Sequence, residues 1–262
     1  MAWLTGWNRR TAVTIDMSTK SGSGTTDATV VIPQAWDLFW STIDASGDEI
    51  RVTKSDGTTA IVYEWAAGFD KTTKTGTLEI DDVSHSHAPS AVLVWLYWDN
   101  SGASDGSASV TPSSPVTGYV DLLVPTNVVS IARGRGGSTT PRTTISATTS
   151  SVAPVGFDVR PLLRGQWTPG GGKFVGEELS EVAVAVNDTS DQAVASATTA
   201  STARFVADRK GHSGIVTMYV DAPSGSLADS TDYVAVATCY TTDVQTVQAR
   251  ASVAVRDVRP SA

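Results

Sequence analysis

The stretch AVLVWLYW (Ala91–Trp98) is an unbroken run of apolar and aromatic residues in a chain whose formal net charge is −8. Successive side chains of a strand point to opposite faces, so Val92, Val94, Leu96 and Trp98 share one side while Leu93, Trp95 and Tyr97 share the other. Neither side is built for water, and each must be covered by the chain's own core, by a companion domain or by a second copy. The run is far shorter than the roughly 20 residues that a membrane-spanning helix needs. No membrane partner is expected.

Working outward, the composition suits a β protein. Of 262 residues, 40% are hydrophobic and only 18% charged, with 22 Gly and 11 Pro. Val and Thr favour the pleated sheet, and strong helix formers are sparse. Strand-like pieces (RTAVTIDM, ATVVI, DEIRVTK, AIVYEWA, GTLEID) follow one another closely, separated by turn residues. EIRVTKSDGTTAIVYEW reads as a hairpin with Asp56-Gly57 at its turn. QAWDLFWSTI, with apolar residues at helical offsets, reads as one short helix.

Residues 101–118, SGASDGSASVTPSSPVTG, hold no large apolar residue except valine and read as a linker. The expected architecture is therefore all-β: a jelly-roll-like β-sandwich over 1–100, the Ser/Pro/Gly-rich linker 101–118, and an immunoglobulin-like β-sandwich over 119–262. In the second part, EVAVAVN sets Val182, Val184 and Val186 against Ala183 and Ala185. YVAVATC repeats the device with Val234 and Val236 against Ala235 and Ala237, which predicts a packed valine face and a small, flat alanine face. Such a flat face suits either solvent or the close approach of another subunit.

Cys239 is the single cysteine, so no intrachain disulfide is expected, and its setting in YVAVATCY predicts a buried strand residue. The opening MAWLTGWNRR lacks the basic region, long apolar stretch and cleavage site of a Sec-type signal, and synthesis in a cytoplasm is the expectation. The acidic balance argues against a nucleic-acid partner, because binding depends on Lys and Arg neutralising phosphates. The basic stretch around Arg133, Arg135 and Arg142 reads as a solvated loop.

Three blocks in the first hundred residues, WLTGWNRRTAVTI, GDEIRVTKSDGTTAIVYEWAAGFD and AVLVWLYWDNSGAS, resemble an uncharacterised β-sandwich domain family of bacterial surface and phage structural proteins, often found beside concanavalin A-like modules. The resemblance rests on an opening Trp with an Arg-containing strand, on Gly47, Glu49 to Arg51, Asp56-Gly57 and Tyr63-Glu64, and on Tyr97 to Asn100. Trp98 and Asp99 depart from the family's usual Tyr and Gly. The resemblance implies a β-sandwich and brings no catalytic residues.

Candidate chemistry is thin. His85 and His87 form a His-x-His pair downstream of Asp81 and Asp82, a pattern able to bind zinc but commoner as surface polar residues. DASGDE and DNSGASDG place carboxylates in turns without the spacing of a calcium loop, so Asx-type turns are the expectation. GHSG (Gly211–Gly214) puts His212 beside Ser213, where neighbours rarely form a nucleophile–base pair, and TPGGGKF lacks the spacing of a phosphate loop. No cofactor is expected. Seven of eight tryptophans precede residue 100; Trp36, Trp40, Trp95 and Trp98 read as core, as an intersubunit interface, or as a glycan-stacking platform. The sequence expectation is a non-enzymatic structural protein of a tailed-phage virion, assembled in the host cytoplasm and decorating or cementing the capsid. It would act as a homo-oligomer against the major capsid protein or other virion proteins. A tail or baseplate adhesion protein and a carbohydrate-binding module are the alternatives.

Overall fold

The computed structural model describes residues 3–66, 68–87, 89–122, 128–130, 145–147, 153–163, 165–167, 174–207, 214–220, 231–243 and 245–255. Its first part carries β1 (Arg9–Asp16), β2 (Gly24–Val31), helix α1 (Asp37–Thr42), β3 (Arg51–Lys54), β4 (Ala60–Ile61), β5 (Tyr63–Trp65), β6 (Thr77–His85), β7 (Ala91–Trp98) and β8 (Val116–Tyr119). Its second part carries β9 (Val128–Ser130), β10 (Ile145–Ala147), β11 (Ala153–Asp158), β12 (Gly165–Trp167), β13 (Phe174–Gly176), β14 (Leu179–Asn187), helix α2 (Ala195–Ala200), β15 (Thr202–Val206), β16 (Ile215–Val220), β17 (Asp232–Thr241) and β18 (Thr246–Val255). The protein is all-β, with α1 falling inside the segment expected to be helical. The β3–β4 hairpin pairs Val52 with Ile61 and Thr53 with Ala60, and Gly57 supplies the positive φ (75°) its turn requires.

Strand β7 is buried at every position, and the alternation read from its sequence separates two cores. Val92, Val94, Leu96 and Trp98 join Val13, Ile15, Val30, Phe39, Ile50 and Leu78 on one side. Ala91, Leu93, Trp95 and Tyr97 join Val155, Phe157, Val182, Phe205, Met218 and Ala251 on the other. The second core lies between the large sheet and a four-stranded sheet ordered β15-β16-β11-β9, a sandwich whose two layers both come partly from residues beyond 150.

The two-domain layout is not confirmed. A single 12-stranded sheet runs β10-β18-β17-β14-β7-β1-β8-β2-β6-β5, with β3 and β4 branching from β7, so strands from both parts share one hydrogen-bonded ladder. One edge of β7 pairs along its full length with β1. Its other edge divides: Lys54 of β3 sits opposite Val94, while Glu181 of β14 sits opposite Val92. The sheet forks there. The segment expected to be a linker is tied to the first part: Ala108 N–H donates to Tyr63 O (3.0 Å), Val110 N–H to a Glu64 carboxylate oxygen (2.7 Å) and Ser113 N–H to Asp27 (2.7 Å). Its last residues form β8, inserted between β1 and β2. Gly118 is what makes that insertion fit, since a Cβ there would meet Val30 Cγ2 at 2.4 Å.

The alanine-face expectation holds for β14 and is inverted for β17. Val182, Val184 and Val186 are buried and Ala183 and Ala185 half-buried. In β17 it is Ala235 and Ala237 that enter the core, with Val234 and Val236 on the opposite side. The register explains the inversion: Val184 lies opposite Ala237 and Val186 opposite Ala235. Large and small side chains are thereby paired across the ladder, which fills the space beneath both strands without overpacking.

Candidate functional site

The residues that carry the family resemblance are occupied inside the fold. Arg10, on β1, has its guanidinium 3.7 Å from the Trp95 ring centre and 4.5 Å from that of Trp3. It donates to Tyr97 Oη (3.1 Å) and forms an ion pair with Glu178, both side chains being fully buried. The pair therefore joins the two parts of the chain. Glu49 is buried and accepts the N–H groups of Asp44 (2.8 Å) and Asn100 (3.1 Å); desolvation pushes its carboxyl above the ordinary 4.5. Tyr63 donates to Ile50 O (2.6 Å) and accepts from Arg51 (3.3 Å). Gly47, at φ 77°, accepts the Trp65 indole N–H on its carbonyl (3.1 Å).

Trp36, Trp40, Trp95 and Trp98 are 8%, 2%, 0% and 3% exposed, which is the core place among the three readings the sequence offered. Their rings fill the two cores. Trp36 meets Trp98 edge-on at 4.9 Å and stacks on Phe39 at 4.7 Å. The indole N–H groups of Trp40, Trp95 and Trp98 donate to Pro33 O, Ser55 O and Thr42 Oγ1. A buried indole needs such a partner, and here each partner is internal.

The two histidines are given separate tasks. His85, buried, places Nδ1 3.2 Å from Gly22 O. His87 turns to Glu181, its Nδ1 2.8 Å from a carboxylate oxygen, and its ring lies flat on Tyr240 at 4.0 Å and 9°. Asp81 and Asp82 instead join Asp27, their oxygens within 4.8 Å of one another, because a bulge sets both opposite Asp27 in the β2–β6 ladder. The Ser113 N–H holds Asp27 below the usual carboxylate range, while desolvation and the hydrogen bond to Asp27 push Asp81 up. The other acidic turns behave as Asx caps: Asp44 accepts the N–H of Asp48 (3.2 Å) and Asp105 that of Ser107 (2.8 Å). Arg133, Arg135, Arg142, His212 and Ser213 lie outside the described residues.

What sequence reasoning missed is the cleft at the sheet fork. It has a volume of about 370 Å³ and is bounded by Lys54 and Asp56 from the β3–β4 hairpin, His87 from the β6–β7 turn, and Glu181, Tyr240 and Thr246 from β14, β17 and β18. The register stacks Glu181, Tyr240 and Thr246 side by side across three strands. Glu181 accepts from Ser86 N–H (2.8 Å), Ser86 Oγ (3.0 Å) and His87 N–H (3.1 Å), which fixes the turn that carries His87. No local motif could reveal this cleft, since its walls come from segments more than 90 residues apart.

No family model and no curated protein matches the sequence. Among solved structures, CopC from Methylosinus trichosporium OB3b is similar at 14% identity over 47% of this chain and 92% of that one, with a TM-score of 0.26. Zebrafish RET cadherin-like domains 1 to 4 are similar at 12% identity over 88% and 42%, with a TM-score of 0.24. SporoSAG from Toxoplasma gondii is similar at 12% over 90% and 93%, with a TM-score of 0.23. Likeness of this degree carries no argument about function.

Proposed function

We propose that the chain is a non-enzymatic structural protein of a tailed-phage particle, acting as a capsid decoration protein through contacts with the major capsid protein and with its own copies. The observation that carries this reading is the inward use of the resemblance residues: Arg10, Glu49, Tyr63 and Tyr97 all hold the fold together. A chain whose signature residues serve its own packing offers partners a rigid shape rather than a reactive centre, and shape with buried area is how lattice proteins bind. The protein would be assembled in the host cytoplasm and end in the virion. The test is mass spectrometry and cryo-EM of purified particles from the phage that encodes it. Density for this all-β chain on the capsid surface at high copy supports the proposal. Absence from mature particles refutes it, and density at the tail tip would move the chain to the adhesion alternative.

A further inference from the structure

We infer that the cleft at the sheet fork is a binding site for an uncharged saccharide. Its hydrogen-bonding capacity decides the ligand class. Both carboxylates are already engaged: Asp56 accepts the N–H groups of Thr58 and Thr59 (both 2.8 Å) and the Thr59 hydroxyl, and Glu181 holds the Ser86-His87 turn. A cation would have to displace these bonds. An anion would meet one ammonium, Lys54, against two carboxylates, in a chain of net charge −8. The lining offers a ligand several hydroxyls and one ammonium: Tyr240 Oη and Thr246 Oγ1 take no hydrogen bond among the described residues, Thr242 Oγ1 accepts from Glu178 N–H (3.2 Å) and keeps its own proton to donate, and Lys54 Nζ reaches Ser84 Oγ (3.3 Å) with donors to spare.

A cleft with spare hydroxyl and ammonium donors, its two carboxylates already hydrogen-bonded, matches a ligand dense in hydroxyl and ring oxygens. At about 370 Å³, it falls within the roughly 300–1,000 Å³ of small-molecule sites. The His87 ring, 41% exposed and held flat by its stack on Tyr240, gives a fixed planar wall for the C–H bonds of a pyranose. Glycan recognition thus falls to a polar cleft between strands and not to Trp36, Trp40, Trp95 and Trp98, whose rings are buried.

The experiment is saturation-transfer NMR and titration calorimetry on the full chain. The probes are glucose, galactose, N-acetylglucosamine and their disaccharides, with glucuronate and glucosamine as charged arms. Saturable binding of a neutral sugar is expected, at a dissociation constant on the order of 1 mM or tighter. Tyr240→Phe and Thr246→Val, which keep the stack and the strand, should together weaken it about tenfold or more. Unchanged far-UV circular dichroism and thermal midpoint keep that loss separate from unfolding. No saturable binding by any neutral sugar, tighter binding of either charged arm, or affinity indifferent to both substitutions would overturn the inference. None of these results bears on whether the chain resides in the virion.

Discussion

Replacing Arg10 by Met tests how the two parts of the chain are joined. The guanidinium and the Glu178 carboxylate are both fully buried, so the substitution deprives a desolvated carboxylate of its counter-charge. Breaking such a pair from one side costs about 3–5 kcal/mol, whereas replacing both partners with apolar groups is often close to neutral. The cation–π contacts with Trp95 and Trp3 contribute about 0.5–2 kcal/mol of that loss. Against a total stability of roughly 5–15 kcal/mol, the single variant should be severely weakened. Urea unfolding followed by tryptophan fluorescence is the assay. Arg10→Met should lower the midpoint sharply, Arg10→Met with Glu178→Met should recover most of the loss, and both parts should unfold in one transition. Lys74→Ala is the control: its partner Asp37 is 83% exposed, and a pair in that setting contributes about 0–1 kcal/mol. A loss below about 1 kcal/mol in Arg10→Met, or a double variant no better than the single, would refute the reasoning. Two separate transitions would restore the two-domain layout.

Three further outcomes are expected. Gly118→Ala puts a Cβ 2.4 Å from Val30 Cγ2 and 3.0 Å from Ile15 Cδ1, and should cost about 1–3 kcal/mol by thermal or urea unfolding. Glu49 keeps its proton in the folded state at pH values where the unfolded chain has released it, because burial raises its carboxyl above 4.5. Its contribution is therefore full below pH 4.5 and declines as pH rises through the raised folded value, so Glu49→Gln should flatten the fall in thermal midpoint over that window, at a lower plateau for the lost acceptor. Cys239, fully buried with its thiol pushed up to about 12, should resist a thiol-specific reagent in the native protein and react once urea unfolds it; rapid labelling without denaturant would contradict its place in the core.

The alternation in AVLVWLYW was legible because a strand's period is fixed by its backbone: the sequence assigns each side chain to a face, and those faces prove to be separate cores. The short helix and the Asp56-Gly57 hairpin were legible for the same local reason. Strand pairing was not. Whether Val184 lies beside Ala237 or beside Val236 depends on register between segments some 50 residues apart, and a slip of one residue reverses every face, so the direction in which YVAVATC points cannot be read from YVAVATC. The histidines illustrate the same limit, since the sequence offers a His-x-His pair and the fold sends one to Gly22 and the other to Glu181.

The segment 101–118 shows how a stretch with a linker's composition is held in place. Small polar residues without a core of their own are the mark of a flexible linker, because they cannot bury enough apolar surface to offset the entropy of ordering. They also make good lining for an existing sheet, provided that their backbone groups find partners. Here the partners are supplied by residues placed earlier in the chain: Tyr63 O, the Glu64 carboxylate and Asp27 each take a backbone N–H from this stretch, and Gly118 allows β8 to slip between β1 and β2. The ordering is thus driven from the first part's sheet, at the cost of acidic side chains committed to holding it. The later strands reach β1 and β7 by routes that bypass this segment: β7 pairs with β14, Arg10 of β1 pairs with Glu178, and Thr14 of β1 accepts the Phe205 N–H.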